Sequence, residues 1–447
     1  MKKKNWLRLA VSIFLMVAVV VGLVMMFVVK PTLEREATLA KYPDRGVPRI
    51  NIDLSGVSLD EIKAGSKDVK YEGNQLTLYD EDEAQKFNGV QVKGRGNGTW
   101  VQEKKPYQIR FQDKVDLFGL GKARKWVLLA NALDGTGLRT DIAFYLERML
   151  GMVFALDGEF VELYIDGEYE GLYYLTHVVE IGKNTVDLRD PMGVLVELDN
   201  IYGEGELNLK TGNGDIVAIK DAVKKDNAEA ALKEFLDSYN QLEKAVAEKD
   251  YDKIKELADV DSFAKYYLLS EFTVNPDAYW TSFFMYKDGS GDKIHAGPGW
   301  DFDLALANRA WGNWMGEDFY SPNKTMVRKD EIMTREMYEE MGLIEDGGMD
   351  WHEWSLGLSR IVFNLMEIPE VREEVEIVYM NKMEGREDEL VREIGRKQNN
   401  IRDAMLANEA LWGREGFDQE VDAVKGWIKG RYEYFDEIYG GGRLMDE

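Results

Sequence analysis

The sequence of 447 residues contains no cysteine and only three histidines. The absence of cysteine excludes disulfides, thiolate zinc sites, iron–sulfur clusters and a thiol nucleophile. Basic residues are scarce beside acidic ones, since 56 Lys and Arg oppose 82 Asp and Glu for a formal net charge of −26. A surface of that sign repels phosphate backbones, so we expect no nucleic-acid partner. Carboxylates, cationic side chains and the backbone remain as the main groups available for chemistry. The hydrophobic content of 45% is typical of a folded protein.

The first thirty residues differ in composition from the rest of the chain. They carry five basic residues and no acidic one, and between residues 9 and 29 only Ser12 and Gly22 are not apolar. A helix of that length spans about 32 Å, which matches a bilayer core. The segment therefore predicts a transmembrane anchor with a cytoplasmic N-terminus and a larger part outside the cytoplasm. The alternative is a cleaved signal peptide, whose apolar region is normally shorter.

The polar residues 31–45 predict a short linker, and periodic patterns follow it. Alternation predicts strands near residues 49–54, 75–79, 89–93 and 107–111, and a short apolar run predicts a buried strand at 125–131. Residues 193–198, 282–287 and 293–295 also have strand character. Asp166-Gly167, between strand-like runs, predicts a β-hairpin. Helical spacing covers residues 140–150, 227–249, 251–275, 367–390 and 421–439. Strands come mostly first and helices later, which predicts an α+β protein with a sheet-rich first lobe and a helical second lobe.

A pair of acidic residues with apolar neighbours stands at Asp301 and Asp303, in the run GWDFDLA. In an extended backbone these two carboxylates point the same way. Hard oxygen ligands placed together suit Mg²⁺ or Mn²⁺ bound with phosphates. The alternative is an ordinary acidic loop in a chain that is rich in acids.

A glycine-rich run, GRGNGTW at residues 94–100, precedes the basic run KKPYQIRF at residues 104–111. A flexible glycine loop lets backbone N–H groups approach an anion, and the strand after it delivers basic side chains. Protein kinases combine a glycine-rich loop with a lysine on a nearby strand in this way. The alternative is a plain β-turn.

A third candidate is Asp277, in the run EFTVNPD, which ends a predicted helix 24 residues before Asp301. A loop aspartate beside a bound nucleotide can accept the proton of an acceptor hydroxyl. The alternative is an aspartate that serves only the turn.

Six runs, taken in order, resemble the CotH kinase family, atypical protein kinases named after a bacterial spore coat protein. They are KGRGNGTW, KKPYQIRF, WVLLANALDGTGLRTDIAFYL, FVELYIDGEYEGLYYLTHVVEIGKNTVDL, residues 275–286 and GPGWDFDLALAN. The similarity covers roughly residues 46–310, and the helical residues 311–447 resemble the family's C-terminal part more loosely. The resemblance implies a two-lobed, atypical protein-kinase-like fold that includes both parts.

The resemblance also implies a function: transfer of phosphate from ATP to Ser or Thr of a surface or spore coat protein, with Mg²⁺ or Mn²⁺. By position, Asp277 is then the catalytic aspartate, Asp301 the metal-holding aspartate and Asp303 a second metal ligand. The implied nucleotide-binding residues are Lys105, Arg95 and Arg139. The negative net charge favours a basic, Ser-rich protein substrate. With the N-terminal anchor, the expected location is the cell membrane or a spore envelope.

Three positions depart from the family pattern. Gly98 replaces a serine, Ser282 stands where an asparagine is expected to bind metal, and His177 stands where relatives tend to have glutamate. The simpler interpretation of His177 is a strand histidine with a hydrogen-bond partner. These departures keep open a catalytically weak or inactive scaffold or adhesin in coat or envelope assembly. A metal-dependent sugar-nucleotide transferase that uses Asp301 and Asp303 is a second alternative.

Overall fold

A computed structural model describes residues 14–30, 33, 37, 40–80, 83–96, 98–198, 207–278, 281–310, 320–323 and 361–440. The first sheet consists of β1 (Arg49–Asp53), β2 (Tyr71–Asp80), β3 (Glu83–Gly94), β4 (Tyr107–Asp116), β5 (Lys122–Leu129), β6 (Gly158–Ile165) and β7 (Glu168–His177). Its strand order is β1-β2-β3-β4-β5-β7-β6, and the sheet is closed because β1 pairs antiparallel with β2 and parallel with β6.

Alternating residues fill the inside of this closed sheet. Ile50, Val92, Ile109, Trp126 and Leu163 are all fully buried in one apolar cluster. Successive side chains of a strand point to opposite faces, so the period-two pattern of the sequence becomes an inside and an outside. The predicted hairpin is confirmed, since Asp166 and Gly167 adopt the left-handed conformation (φ 51° and 81°) between β6 and β7.

The second sheet has the order β12-β11-β8-β10-β9. Its strands are β8 (Val194–Leu198), β9 (Asn208–Lys210), β10 (Ile216–Ala222), β11 (Phe283–Lys287) and β12 (His295–Ala296). The helices are α1 (Leu59–Ala64), α2 (Arg139–Leu150), α3 (Ala228–Glu248), α4 (Tyr251–Leu257), α5 (Val260–Thr273), α6 (Ile361–Leu365), α7 (Pro369–Lys382), α8 (Glu387–Trp412) and α9 (Phe417–Tyr439). A second, larger apolar core joins this sheet to helices α2, α5, α7 and α9.

The predicted two-lobed kinase-like architecture is wrong. The first part is not an open sheet-rich lobe but a closed barrel of seven strands, and a second sheet of five strands accompanies the helices. Closure depends on the parallel register of Ile50 with Leu163, more than a hundred residues apart. Helix α2 matches the prediction for residues 140–150 and ends at the left-handed Gly151, whereas the predicted helix over 251–275 is divided into α4 and α5.

The prediction of a transmembrane anchor, and with it the single-pass membrane location, is corrected by the structure. Among the described residues, none of the helices has both the length and the apolar character needed to cross a bilayer. The described part begins at residue 14, with a π-helical turn at Met25–Val29, so residues 9–13 of the predicted span lie outside it.

A histidine links β12 to the start of α5. His295 Nδ1 lies 3.1 Å from Asp259 Oδ2, and its Nε2 lies 3.2 Å from Asp292 Oδ1. Burial acts to lower the pKa of His295, but the hydrogen bonds to Asp259 and Asp292 outweigh it and raise the pKa. Because Asp259 is the residue that precedes α5, the imidazole connects this helix end to the second sheet, and it does so most strongly when it is protonated.

We expect His295→Gln to destabilise the protein more at pH 6 than at pH 9. A group whose folded pKa is raised stabilises the fold below its unfolded pKa, about 6.5 for histidine, and this contribution is lost as pH rises through the folded value. The extra loss at pH 6 should be about 1 kcal/mol, between the values for exposed ion pairs and for charged hydrogen bonds. Denaturant unfolding of both proteins at the two pH values measures it, and an equal loss at both would contradict the ion-pair assignment.

Candidate active site

Two loops bring the predicted acidic residues together. Asp277 follows α5, and Asp301 and Asp303 follow β12. The Asn275 side-chain amide donates to the backbone oxygen of Asp301 at 3.1 Å, and the Leu306 N–H donates to the Thr273 oxygen at 2.7 Å. These cross-links hold the end of α5 against the loop that follows β12, so the two loops form one structural unit.

Strained backbone conformations concentrate in these loops. Val274, Ser282 and Asp301 adopt left-handed conformations, with φ of 47°, 60° and 65°. Such conformations are costly for residues with a side chain, and most of all for a β-branched residue such as Val274. Backbone strain of this kind is typical of functional sites, where the surrounding contacts hold a side chain in a required direction.

The three carboxylates influence one another. Burial raises the pKa of Asp301, and so does the negative charge of Asp277, while Arg95 and hydrogen bonds with Asp303 and Ser282 act in the opposite direction. The pKa of Asp303 is raised well above its ordinary value by burial and by the charges of Asp301, Asp277 and Asp134. The two carboxyl groups hydrogen-bond each other, and burial together with the charge of Asp277 favours the protonated form of both.

Arg95 is a cation that acts on this acidic group. It follows β3 in the glycine-rich loop, and its guanidinium lies 5.1 Å from the centre of the Trp300 ring. Burial lowers the pKa of Arg95, whereas Asp301, Glu197 and Asp303 act to raise it. The glycine-rich loop thus delivers one positive charge beside the two carboxylates that follow β12. Gly98 in the same loop is exposed, and Asn97 lies outside the described residues.

The Lys105 side chain contacts Trp100 and not the acidic group. Its ammonium donates to the Trp100 oxygen at 2.5 Å and lies 5.1 Å from the centre of the Trp100 ring. Its neighbour Lys104 is buried and donates to the Leu172 oxygen, also at 2.5 Å. Within the described part of the chain, neither lysine has a contact with the acidic group. The phosphate contact of Lys105 stays a prediction.

Arg139 lies beside the site in a buried ion pair. Its guanidinium hydrogen-bonds the Asp134 carboxylate and lies 3.8 Å from Glu420. Asp134 also accepts from the backbone N–H of Thr136 and of Arg139, and so fixes the start of α2. Because the charge of Asp134 raises the pKa of Asp303, the pair is electrostatically connected to the acidic group. The role of Arg139 towards a nucleotide stays a prediction.

The oxygen donors of this site suit an ion shared with phosphate rather than one held by protein alone. Among the described residues, no three His, Asp or Glu side chains converge to hold a metal ion. Asp301, Asp303 and the Ser282 hydroxyl nevertheless offer hard oxygen atoms in one place. Mg²⁺ is usually bound by one or two carboxylates together with substrate phosphates and water, which is the set that these residues fit.

His177 belongs to the wall of the barrel and not to the acidic group. It is buried in β7, its ring centre lies 4.2 Å from that of Trp126, and its Nε2 lies 3.3 Å from the Gly121 oxygen. Burial lowers the pKa of His177, so the imidazole is neutral. This agrees with the simpler interpretation of a strand histidine with a hydrogen-bond partner.

Sequence reasoning missed several residues that shape the site. Asn275 holds Asp301 through its backbone, Trp300 lies against Arg95, and Asp134 acts on Asp303. Asn275 and Trp300 lie inside the runs EFTVNPD and GWDFDLA, so their positions gave a signal. Asp134 lies inside the run WVLLANALDGTGLRTDIAFYL, but its approach to Asp303 depends on how α2 packs.

In this α+β fold, two cross-linked loops present carboxylates beside an arginine from a glycine-rich loop. The chain belongs to the family of CotH kinase proteins, whose model matches residues 91–435, and this confirms the resemblance seen in the sequence. A comparison with curated proteins gave no match.

Proposed function

We propose that this protein is a phosphotransferase that moves the γ-phosphate of ATP to a Ser or Thr hydroxyl of a protein. The observation that supports this most is the grouping of Asp277, Asp301 and Asp303 around Arg95, with the Ser282 hydroxyl beside them. Phosphoryl transfer needs alignment and neutralisation of charge more than covalent help from the protein. Membership of the CotH kinase family points to the same chemistry.

Asp277 is the proposed general base. It is half-buried at the mouth of the loop, and its backbone is fixed by hydrogen bonds with Asn275 and Thr281. In the proposed step the acceptor oxygen forms a bond to the γ-phosphorus, the bond from that phosphorus to the bridging oxygen breaks, and ADP leaves. The hydroxyl proton passes to the Asp277 carboxylate and then to solvent.

Asp301, Asp303 and Ser282 are the proposed ligands of Mg²⁺ or Mn²⁺, which when bound neutralises phosphate charge. Burial raises the pKa of Asp301 and of Asp303, and the neighbouring carboxylates raise both further, so a bound cation would stabilise their charged forms. Arg95 supplies positive charge on the phosphate side of the site, where the glycine-rich loop approaches. We propose a basic, Ser-rich protein as substrate, because the net charge of −26 attracts cationic segments.

Nucleotide-dependent stabilisation tests this proposal against its alternatives. With Mg²⁺, ATP at about one hundred times its dissociation constant should raise the free energy of unfolding by roughly 2.7 kcal/mol. Asp301→Asn should remove most of the Mg²⁺-dependent part, whereas Asp237→Asn, the same charge change on the exposed face of α3, should not. Stabilisation by UDP-sugars instead of ATP would favour a sugar-nucleotide transferase. The absence of any nucleotide effect would favour a scaffold.

A further inference from the structure

A basic pocket lies on the barrel between the β4–β5 hairpin and the loop that follows β7. Its cavity has a volume of about 170 Å³. Glu180 is the one carboxylate among its lining residues. The cationic residues that line it are Arg110, Lys114, Lys122, Arg124, Lys125 and Lys183. This local excess of positive charge occurs in a protein whose net charge is −26, and none of the lining residues belongs to the acidic site.

Only part of this positive charge is matched by acidic residues of the described chain, among them Glu180, Asp116 opposite Lys122 and Asp187 near Lys183. The Lys125 ammonium pairs with Glu180 at 2.5 Å. Within the described part of the chain, Arg110, Lys114, Lys122 and Arg124 form no ion pair, and all four side chains are exposed. Several cations that face one cavity repel each other unless an anion lies among them.

The strand register places one pair of like charges face to face, although it also places Asp116 opposite Lys122. Arg110 of β4 lies directly opposite Lys125 of β5. Like charges at opposed positions of an antiparallel pair are destabilising. Glu180 compensates Lys125, but no acidic residue in the described part of the chain does the same for Arg110. An arrangement that costs stability and is only partly compensated within the protein is typical of a binding site.

The walls of the pocket are held in place before any ligand arrives. The Asn184 amide donates to the Lys122 oxygen at 3.1 Å, and the Thr185 hydroxyl donates to the Glu180 oxygen at 2.5 Å. Gly121 has φ of 98°, and a Cβ there would lie 2.5 Å from the Asn184 side chain, so glycine permits this close approach. The loop is therefore attached to the hairpin, and the cations surround a preformed cavity.

We infer that this pocket binds an oligophosphate, a compact anion with two or more linked phosphate groups. A single phosphate carries too little charge to balance the unpaired cations, and the small cavity suits a compact ligand better than an extended chain. Arginine forms two parallel hydrogen bonds with phosphate oxygens, and lysine adds point charges. The inference does not depend on catalysis at Asp277, because the two sites share no residue.

Calorimetric titration of the full chain with inorganic tripolyphosphate, without divalent metal and at about 0.15 M salt, tests this inference. We expect saturable binding at one site, at least tenfold tighter than inorganic phosphate. The double variant Arg110→Gln/Arg124→Gln should weaken it at least tenfold. The matched variant Lys233→Gln/Lys429→Gln, which removes two exposed charges from α3 and α9, should change it less than twofold.

Additional arms identify the source of the phosphates. If the pocket variant binds ATP more weakly, as it does tripolyphosphate, a nucleotide can supply the phosphates. AMP should then bind the wild-type protein at least tenfold more weakly than ATP. The inference is overturned if tripolyphosphate does not bind, or if both double variants weaken it equally. It is also overturned if Arg95→Gln, and not the pocket variant, removes binding, or if a phosphopeptide binds the pocket more tightly than tripolyphosphate.

Discussion

Asp277→Asn is expected to slow phosphoryl transfer from ATP by about 10²- to 10⁴-fold, the usual contribution of a general base. The amide cannot accept the proton of the acceptor hydroxyl, while its shape is nearly that of the carboxylate. The hydrogen bonds that fix this loop use the backbone of residue 277, so the substitution leaves them in place. Steady-state rates at saturating ATP and Mg²⁺ measure the effect.

Two controls define what the loss means. Asp237→Asn makes the same charge change at an exposed position of α3 and should keep the wild-type rate. The ATP affinity of Asp277→Asn should stay within a few-fold of wild type, because the proposed base contacts the acceptor rather than the nucleotide. If Asp277→Asn transferred phosphate at the wild-type rate, Asp277 would not be the general base.

Arg431→Met is expected to lower the free energy of unfolding by about 2–4 kcal/mol, since it removes charged hydrogen bonds from a buried position. Arg431 lies in α9, and its guanidinium donates to the Glu271 oxygen at 2.5 Å and to the Pro322 oxygen at 2.8 Å. Burial lowers the pKa of Arg431 to about 10, so the side chain remains charged at neutral pH. Denaturant unfolding measures the loss.

This arginine also connects stability to the site. Glu271 lies in the last turn of α5, shortly before Asp277. We therefore expect Arg431→Met to reduce the transfer rate of the folded protein as well, through a less well-placed loop. Lys429→Met, at an exposed position of the same helix, serves as the control and should change neither quantity appreciably. Unchanged stability in Arg431→Met would show that the apolar surroundings compensate for the lost hydrogen bonds.

Local sequence patterns predicted many of the helices and strands. The two-lobed architecture was predicted wrongly because it depends on which distant strands pair. The Asp166-Gly167 turn and the end of α2 at Gly151 are determined by neighbouring residues, and both were found. The closure of the barrel requires β1 to pair with β6, and no local alternation reveals which distant strand is a partner. Short strands such as β9 were also missed, because three residues carry too little pattern.

The same limit applies to the candidate site: the sequence identifies individual residues, but not how distant segments pack around them. Asp277 and Asp301 are 24 residues apart, and the sequence motifs identify both residues without showing that their loops meet. Lys104 and Lys105 are adjacent in sequence but turn to different partners, Leu172 and Trp100. The orientation of each lysine side chain depends on how the barrel packs, and the local sequence does not specify that packing.

Labelled γ-phosphate of ATP, followed in a reaction of the purified protein with Mg²⁺ or Mn²⁺ and a basic, Ser-rich polypeptide, tests the proposed phosphoryl transfer directly. We expect phosphoserine or phosphothreonine in the wild-type reaction, a loss of about 10²-fold or more in Asp277→Asn, and retention in Asp237→Asn. Transfer that persists unchanged in Asp277→Asn, or wild-type protein that binds ATP and transfers no phosphate to any hydroxyl, would contradict the proposed function.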